Sequence, residues 1–422
     1  MNQRKGLFYG IDWLGILLYL IFVIIGILSI YATEYRDNTS FHINTTTNYG
    51  KQIIWLCISL FVGFIILIID SKFYSNFAWG FYVIIILLLI SVLFLGKTVN
   101  GANAWFEIGG MRLQPAEFGK FAACIALAKY LGSIDVKFDK IRTRIIACLI
   151  MVVPMMLIFA QHDVGSMLVF TAFIFVFYRE GLPAWVLFGG IVLLLICVLS
   201  LVINKWYLIG SMAIIACILV FLVRKQLLEI AIVAGGLVAI SGIVFGVDFF
   251  VNNVLEEHQR NRINVILGKV SERDEKTIAY NLYQSKIAIG SGGLNGRGYL
   301  QGLQTKGNFV PEMSTDFIFC SFAEEHGFIG STLLIILYLF FFIRIMLRAE
   351  EQRSTFGRVY AYGVASIFFF HFMVNMGMTI GLLPVIGIPL PFISYGGSSL
   401  LAFTILYFIY LKIDTDRSSI LR

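Results

Sequence analysis

Residues 301–330, QGLQTKGNFVPEMSTDFIFCSFAEEHGFIG, run from a long hydrophilic loop straight into an apolar helix. Asp316 stands at the junction, and Glu324, Glu325 and His326 follow two to three helical turns later, so four titratable groups share one segment entering hydrocarbon. Ionisable groups are costly in that setting and are usually kept for function. Asp316 also has a plain structural reading: Asp is a preferred helix cap, and Ser314 and Thr315 beside it are equally good caps.

Composition sets the class of the whole chain. Of 422 residues, 59% are hydrophobic and only 14% charged, a balance that soluble domains do not show. The chain is read as an all-α polytopic integral membrane protein, and its 39 Phe residues as lipid-facing and packing surface. The six cysteines all fall inside apolar runs without CxxC spacing, which argues against a disulfide framework or a zinc site. A formal net charge of +7 invites a nucleic-acid reading, but basic residues in a membrane protein are first sorted by side.

Apolar runs of spanning length are expected near 11–31, 52–69, 77–95, 116–131, 145–160, 164–178, 184–203, 206–223, 227–247, 316–347, 359–382 and 392–413, about twelve in all. The first has no small-residue cleavage site and reads as a retained helix rather than a signal peptide. Residues 97–113, rich in Gly and polar groups, are read as a loop with Trp105 at headgroup level, and residues 248–315 as one large hydrophilic loop. On this numbering, basic residues in the short loops favour the side of the termini by roughly three to one, which places both termini in the cytoplasm and the long loop outside. Nucleic acid is thereby dismissed as a partner. Asp163, Asp316, Trp105 and the turn Gln114–Glu117 then all lie in the outer half.

Several motifs carry possible chemistry. In QPAEFGK, Glu117 and Lys120 are spaced i, i+3 and can pair inside the membrane, either as a structural ion pair or with Lys120 shared with an anionic substrate. Asp163 in AQHDVG is a helix-end cap or a functional carboxylate. The run IGSGGLNGRG, with Arg297, is a phosphate-binding backbone or a flexible hinge. PLPFISYGGSSL is a broken helix lining a cavity or a close helix contact through small residues. A serine-nucleophile elbow, a P-loop and filter-like repeats are all missing from the sequence.

NGANAW, QPAEFGK, QHDVGSMLV, YNLYQSKIAIGSGGLNGRGYLQG, FVPEMSTDFIFCSFAEEHGFIG and NMGMTIGLLPVIGIPLPFISYGGSS together resemble the SEDS family (shape, elongation, division and sporulation), on its RodA-like side. The resemblance covers most of the chain from Asn100 to Leu401. It implies a single membrane domain over residues 1–422 that polymerises the lipid-linked disaccharide-pentapeptide lipid II at the outer face of the cytoplasmic membrane. It also implies a class B penicillin-binding protein and the elongation complex as partners. Carried over by motif, Asp316 is the catalytic carboxylate, and Trp105, Glu117, Lys120 and Asp163 fall on family positions. Glu324, Arg262, Lys286 and Arg297 are supporting candidates. A divalent cation, Mg2+ or Mn2+, is expected, with Asp316 and Asp163 as possible oxygen ligands.

Departures from the family pattern are Ser314 where relatives read HTDF, His162 and Val164 where they read QPDLG, and Ala116 where they read QPSE. A further departure is two apolar runs beyond a ten-helix core, expected as an inserted helical hairpin within residues 185–247. Two rival functions stay beside the transferase: a lipid II transporter, and a non-enzymatic scaffold of the elongation complex.

Overall fold

A computed structural model describes residues 10–35, 46–99, 101–108, 111–223, 227–253, 260, 280–307 and 309–417. The chain divides into two compact units, residues 1–182 with 281–422, and residues 183–280.

The larger unit is a helical bundle. It contains α1 (Trp13–Glu34), α2 (Asn48–Ile68), α3 (Ser71–Asn76), α4 (Ala78–Leu95), α5 (Pro115–Leu131), α6 (Ile141–Ala160), α7 (Val164–Val169) and α8 (Ile174–Arg179). The smaller unit holds α9 (Ala184–Val202), α10 (Lys205–Val223) and α11 (Leu227–Asn253). The larger unit resumes with α12 (Tyr280–Ser291), α13 (Leu303–Lys306), α14 (Ile318–Glu350), α15 (Thr355–Thr379) and α16 (Gly397–Thr415). Among the described residues eight helices are long and apolar enough to cross a membrane, with shorter apolar stretches at Val164–Arg179, Lys205–Ile218 and Val233–Phe249. Length and apolarity thus support eight spans among the described residues, and the expected count of about twelve is not confirmed. The short α5, which carries Glu117 and Lys120, is not among the eight.

Burial separates inner helices from lipid-facing ones. α5, α15 and α16 are buried on nearly every face, whereas α4 presents most of its side chains outward. Small residues permit the close approach of the inner set, because helices in lipid gain by van der Waals contact rather than by hydrophobic expulsion. A Cβ on Gly363 of α15 would stand 2.4 Å from Cys124 Sγ of α5, and one on Gly63 of α2 would stand 2.7 Å from the Phe408 ring of α16.

Four elements differ from the sequence reading. The polar stretch after α4 is not a loop but a three-stranded antiparallel meander: β1 (Lys97–Val99), β2 (Ala102–Ile108) and β3 (Met111–Leu113), with Trp105 opposite Lys97. The expected span 164–178 is interrupted by a 3-10 turn at Phe170–Phe173. α14 starts at Ile318 and is broken at Gly327, whose φ of 65° and ψ of −162° are outside the helical region. The expected span 392–413 begins only at Gly397, because residues 381–396 between α15 and α16 are irregular backbone.

The ends of the bundle differ in chemistry. Asp12 caps α1 through Gly15 N and accepts from Arg344, while Arg358 pairs with Glu180 and Gln352 donates to the buried Asp414. These belong to the end where α1 and α16 have their outer termini near Asp12 and Asp414. The opposite end, where α15 finishes and α14 and α16 begin, holds the polar side chains described next.

Candidate active site around an irregular buried segment

Residues 386–396 cross the bundle without regular hydrogen bonding, and Ile388, Leu390, Phe392 and Ile393 within them are buried. Unpaired carbonyls at such a depth cost several kcal/mol each in the absence of water, of order 2–7, so irregular backbone survives only where side chains satisfy it. Here they do. Asn375 Nδ2 donates to Ile388 O at 2.7 Å, His371 Nδ1 lies 3.1 Å from Pro389 O, Tyr338 Oη donates to Pro391 O at 2.6 Å, and Gln52 Nε2 to Ser394 O at 3.4 Å. PLPFISYGGSSL is therefore a buried irregular segment followed by a helix start, and it is also a close contact: a Cβ on Gly26 of α1 would stand 2.7 Å from Ile393 O.

This segment holds Asp316. The side chain of Asp316 is half-exposed, and its Oδ2 is 3.2 Å from where a Cβ on Gly387 would stand, at a glycine whose φ is +80°. The backbone around it is gripped from below: Asn375 Nδ2 donates to Asp316 O at 2.9 Å, Ser394 Oγ to Thr315 O at 2.6 Å, and Tyr395 N to Ser314 O at 2.8 Å. The capping reading does not hold. The N-cap of α14 is Phe317, which makes no side-chain capping bond, and Thr315 Oγ1 turns back to Glu312.

The turn that Asp163 caps abuts the same segment. Asp163 Oδ1 accepts from Ser166 N at 3.0 Å, capping α7, and its Oδ2 accepts from Gln114 Nε2 at 2.6 Å. Gly165 in that first turn abuts the segment, with a Cβ placed 3.0 Å from Ile386 O and 3.5 Å from Gly387 O. Gly387 is thus the common neighbour of Asp316 and of the turn that Asp163 caps. Lys120 joins from below: its Nζ donates to Glu117 at 2.8 Å and lies 3.0 Å from His371 Nε2, with both partners of the ion pair fully buried. An ammonium only donates, so Nε2 accepts and Nδ1 carries the proton that His371 gives to Pro389 O.

The remaining candidates are elsewhere. Glu324 is buried and saturated, accepting from Gln304 N, Thr305 N and Thr305 Oγ1 at 2.7–2.9 Å, which makes it the anchor of α13. The glycine run is neither a free phosphate loop nor a hinge. Arg297 N and Gly298 N donate to Glu324 O and Glu325 O, and Phe328 N and Ile329 N donate back to Gly293 O and Leu294 O, so the run is laced to the break in α14. Exposed Arg297 turns its Nε to Ser291. Exposed Lys286 on α12 lies against Gly381, beside the end of α15, at the rim of the Asp316 site. Trp105 is half-buried in β2, on the flank formed by α4 and α5. Arg262 lies outside the described residues, as does most of the segment 254–279.

Comparison with known proteins decides the family. Residues 12–211 and 208–419 match the FtsW/RodA/SpoVE family of cell cycle proteins. The chain belongs to the FtsW/RodA/SpoVE family. Among its relatives is the Escherichia coli K12 peptidoglycan glycosyltransferase MrdB, 32% identical over 87% of this chain and 85% of that protein. Treponema pallidum peptidoglycan glycosyltransferase RodA is 32% identical over 92% of this chain and 94% of its own length. The fold is shared with a chain from a peptidoglycan synthase complex of polymerisation and crosslinking, at a TM-score of 0.68 and 23% identity over 96% of this chain and 98% of that one. It is also shared with Thermus thermophilus RodA, at a TM-score of 0.62 and 22% identity over 97% and 98% of the two chains.

In this family member the residues sequence reasoning missed are those that hold the segment: His371, Asn375, Tyr338 and Gln52. A signal for two of them exists in FFFHFMVNMG, where His and Asn stand four apart in an apolar helix, the spacing of one face. For a cation, no three His, Cys, Asp or Glu side chains among the described residues converge to hold one by themselves.

Proposed function

We propose that the chain is a peptidoglycan glycosyltransferase of cell elongation that polymerises lipid II, with Asp316 as its catalytic carboxylate. The observation that carries this reading is the placement of Asp316: its backbone and that of Thr315 are gripped by Asn375 and Ser394, and its carboxylate faces Gly387 of the irregular segment. A carboxylate whose backbone is held in place in this way suits general base catalysis, worth about 10²- to 10⁴-fold. A sugar hydroxyl of the acceptor lipid II attacks the anomeric carbon of the growing chain. The hydroxyl proton passes to Asp316, the new glycosidic C–O bond forms, and the anomeric bond to pyrophosphate breaks with its electron pair, releasing undecaprenyl pyrophosphate.

Lys286 and Arg297, exposed on the same end of the unit, supply positive charge for the departing pyrophosphate. Asp316 and Asp163 would hold a Mg2+ or Mn2+, which when bound neutralises phosphate charge. A class B penicillin-binding protein crosslinks the product strands. The positive balance of the short loops orients both termini to the cytoplasm and the Asp316 end outward. Impermeant maleimide applied to intact cells tests that orientation: Asn295→Cys should label and Arg353→Cys should not, and the reverse pattern defeats it. The two apolar runs beyond a ten-helix core belong to the unit of residues 183–280 as an inserted hairpin.

The decisive experiment is polymerisation of purified lipid II in liposomes containing the protein, its penicillin-binding partner and Mg2+, comparing wild type with Asp316→Ala. Strands from wild type alone support the reading. Equal product from both removes Asp316 from the chemistry. No product from either, with lipid II crossing the bilayer, returns the transporter to the front; inactivity in both assays leaves the scaffold.

A further inference from the structure

We infer that His371 and Asn375, one turn apart on α15, are positioning residues that set the placement of Asp316 by clamping the irregular segment beneath it. The inference rests on the glycosyltransferase reading above and adds to it residues that touch neither substrate nor reacting atoms. Asn375 is fully buried and spends both Nδ2 hydrogens on backbone oxygens from two different parts of the chain, Asp316 at 2.9 Å and Ile388 at 2.7 Å. One planar amide therefore fixes the separation between the carboxylate-bearing turn and the segment whose Gly387 faces the carboxylate. The amide cannot flip, because its oxygen would then meet two carbonyl oxygens. Its Oδ1 is buried without a hydrogen-bond partner, so the side chain is retained for its two donors at the cost of an orphaned acceptor.

His371 is the rung below. It is also fully buried, and it lies 3.1 Å from the next carbonyl, Pro389 O, through Nδ1. Lys120 fixes which nitrogen carries the proton, since its ammonium lies 3.0 Å from Nε2 and can only donate there. Glu117 in turn holds Lys120 at 2.8 Å. The buried ion pair of α5 thus acts on Asp316 through an imidazole tautomer, a carbonyl and a segment, without contact. Proline at 389 has no N–H of its own, so the grip at this point runs through its carbonyl.

Misplacing a reacting group by about 1 Å costs on the order of 100-fold in rate. The test measures lipid II polymerisation by the full chain with its class B penicillin-binding partner in liposomes, as a function of lipid II concentration. The variants are Asn375→Ala, Asn375→Ser, His371→Asn and His371→Phe. The inference expects kcat for Asn375→Ala and His371→Phe to fall by roughly 100-fold with KM within about threefold of wild type. His371→Asn keeps a donor for Pro389 O and should recover at least tenfold over His371→Phe. The split between kcat and KM is decisive, because a residue that acts by placing a reacting group costs the transition state and not ground-state binding.

Wild-type kcat in Asn375→Ala or in His371→Phe overturns the inference, as does a raised KM at unchanged kcat. Should Asn375→Ala fail to reach the membrane folded, Asn375→Ser, which keeps one donor, decides: a kcat indistinguishable from wild type overturns the clamp. A wild-type chain that makes no glycan, by contrast, defeats the glycosyltransferase reading itself.

Discussion

Lys120 is the residue whose meaning changes most between sequence and structure. The i, i+3 spacing with Glu117 foretells the ion pair, and the pair forms at 2.8 Å with both side chains out of contact with solvent. What spacing along one helix cannot foretell is the third member, because His371 is 251 residues away on α15. Breaking a buried pair by removing one partner costs about 3–5 kcal/mol, since the other charge is left uncompensated. Glu117→Gln should therefore lower the thermal midpoint in detergent markedly, and Glu117→Leu with Lys120→Met together should cost less than the two single changes summed; additive losses would argue against a coupled pair. Asp316 makes the opposite case. Because Phe317 and not Asp316 is the N-cap of α14, Asp316→Asn should remove no helix cap while abolishing polymerisation. A large drop in the midpoint would restore the capping role.

At the scale of elements, the break in α14 and the glycine run belong to one device. Gly327 leaves the helical region at φ +65°, and any Cβ there would stand 2.2 Å from Gly296 N; a Cβ on Gly296 would stand 2.1 Å from Glu325 O. Both glycines are required by backbone approach, and the lacing of residues 293–298 across the break consumes the N–H groups that a phosphate site would need. Gly296→Ala should open this lacing. Amide exchange at Phe328 and Ile329 should accelerate by at least tenfold, and unchanged protection would show that the loop tolerates the added carbon. Glu324→Ala should act on the same loop by orphaning the donors of α13, at about 1–3 kcal/mol, with faster proteolysis between residues 299 and 306 as the readout.

At the scale of the larger unit, polar groups gather at two ends: Asp316, Asp163 and the gripped segment at one, the ion pairs of Asp12 and Glu180 at the other. Asp12 anchors the second end. Burial raises its pKa, but the hydrogen bonds from Arg344 and Gly15 outweigh burial and hold it below the ordinary Asp value. A folded pKa depressed in this way contributes stability above the unfolded pKa, near pH 4, and loses it as pH falls through the folded value. Wild type should therefore shed thermal stability below about pH 4 more steeply than Asp12→Asn does, with the two curves separated by a constant offset at neutral pH. Parallel curves down to pH 3 would mean that Arg344 does not stabilise the charged form.

Composition and apolar run length determined that this is a helical membrane protein, because hydrocarbon tolerates only backbone that satisfies itself, and that constraint is written locally in the sequence. Local spacing also determined the Glu117–Lys120 pair, and the motifs determined the family and singled out Asp316. The sheet at residues 97–113 escaped, since its strands are too short and too polar to show a period. The tertiary structure alone decided that Asp316 is not a cap, that Glu324 is an anchor, and that residues 386–396 are irregular backbone held by His371, Asn375, Tyr338 and Gln52. The reason is physical: each of those side chains answers a carbonyl brought to it by the fold, and no local pattern encodes which carbonyl that is.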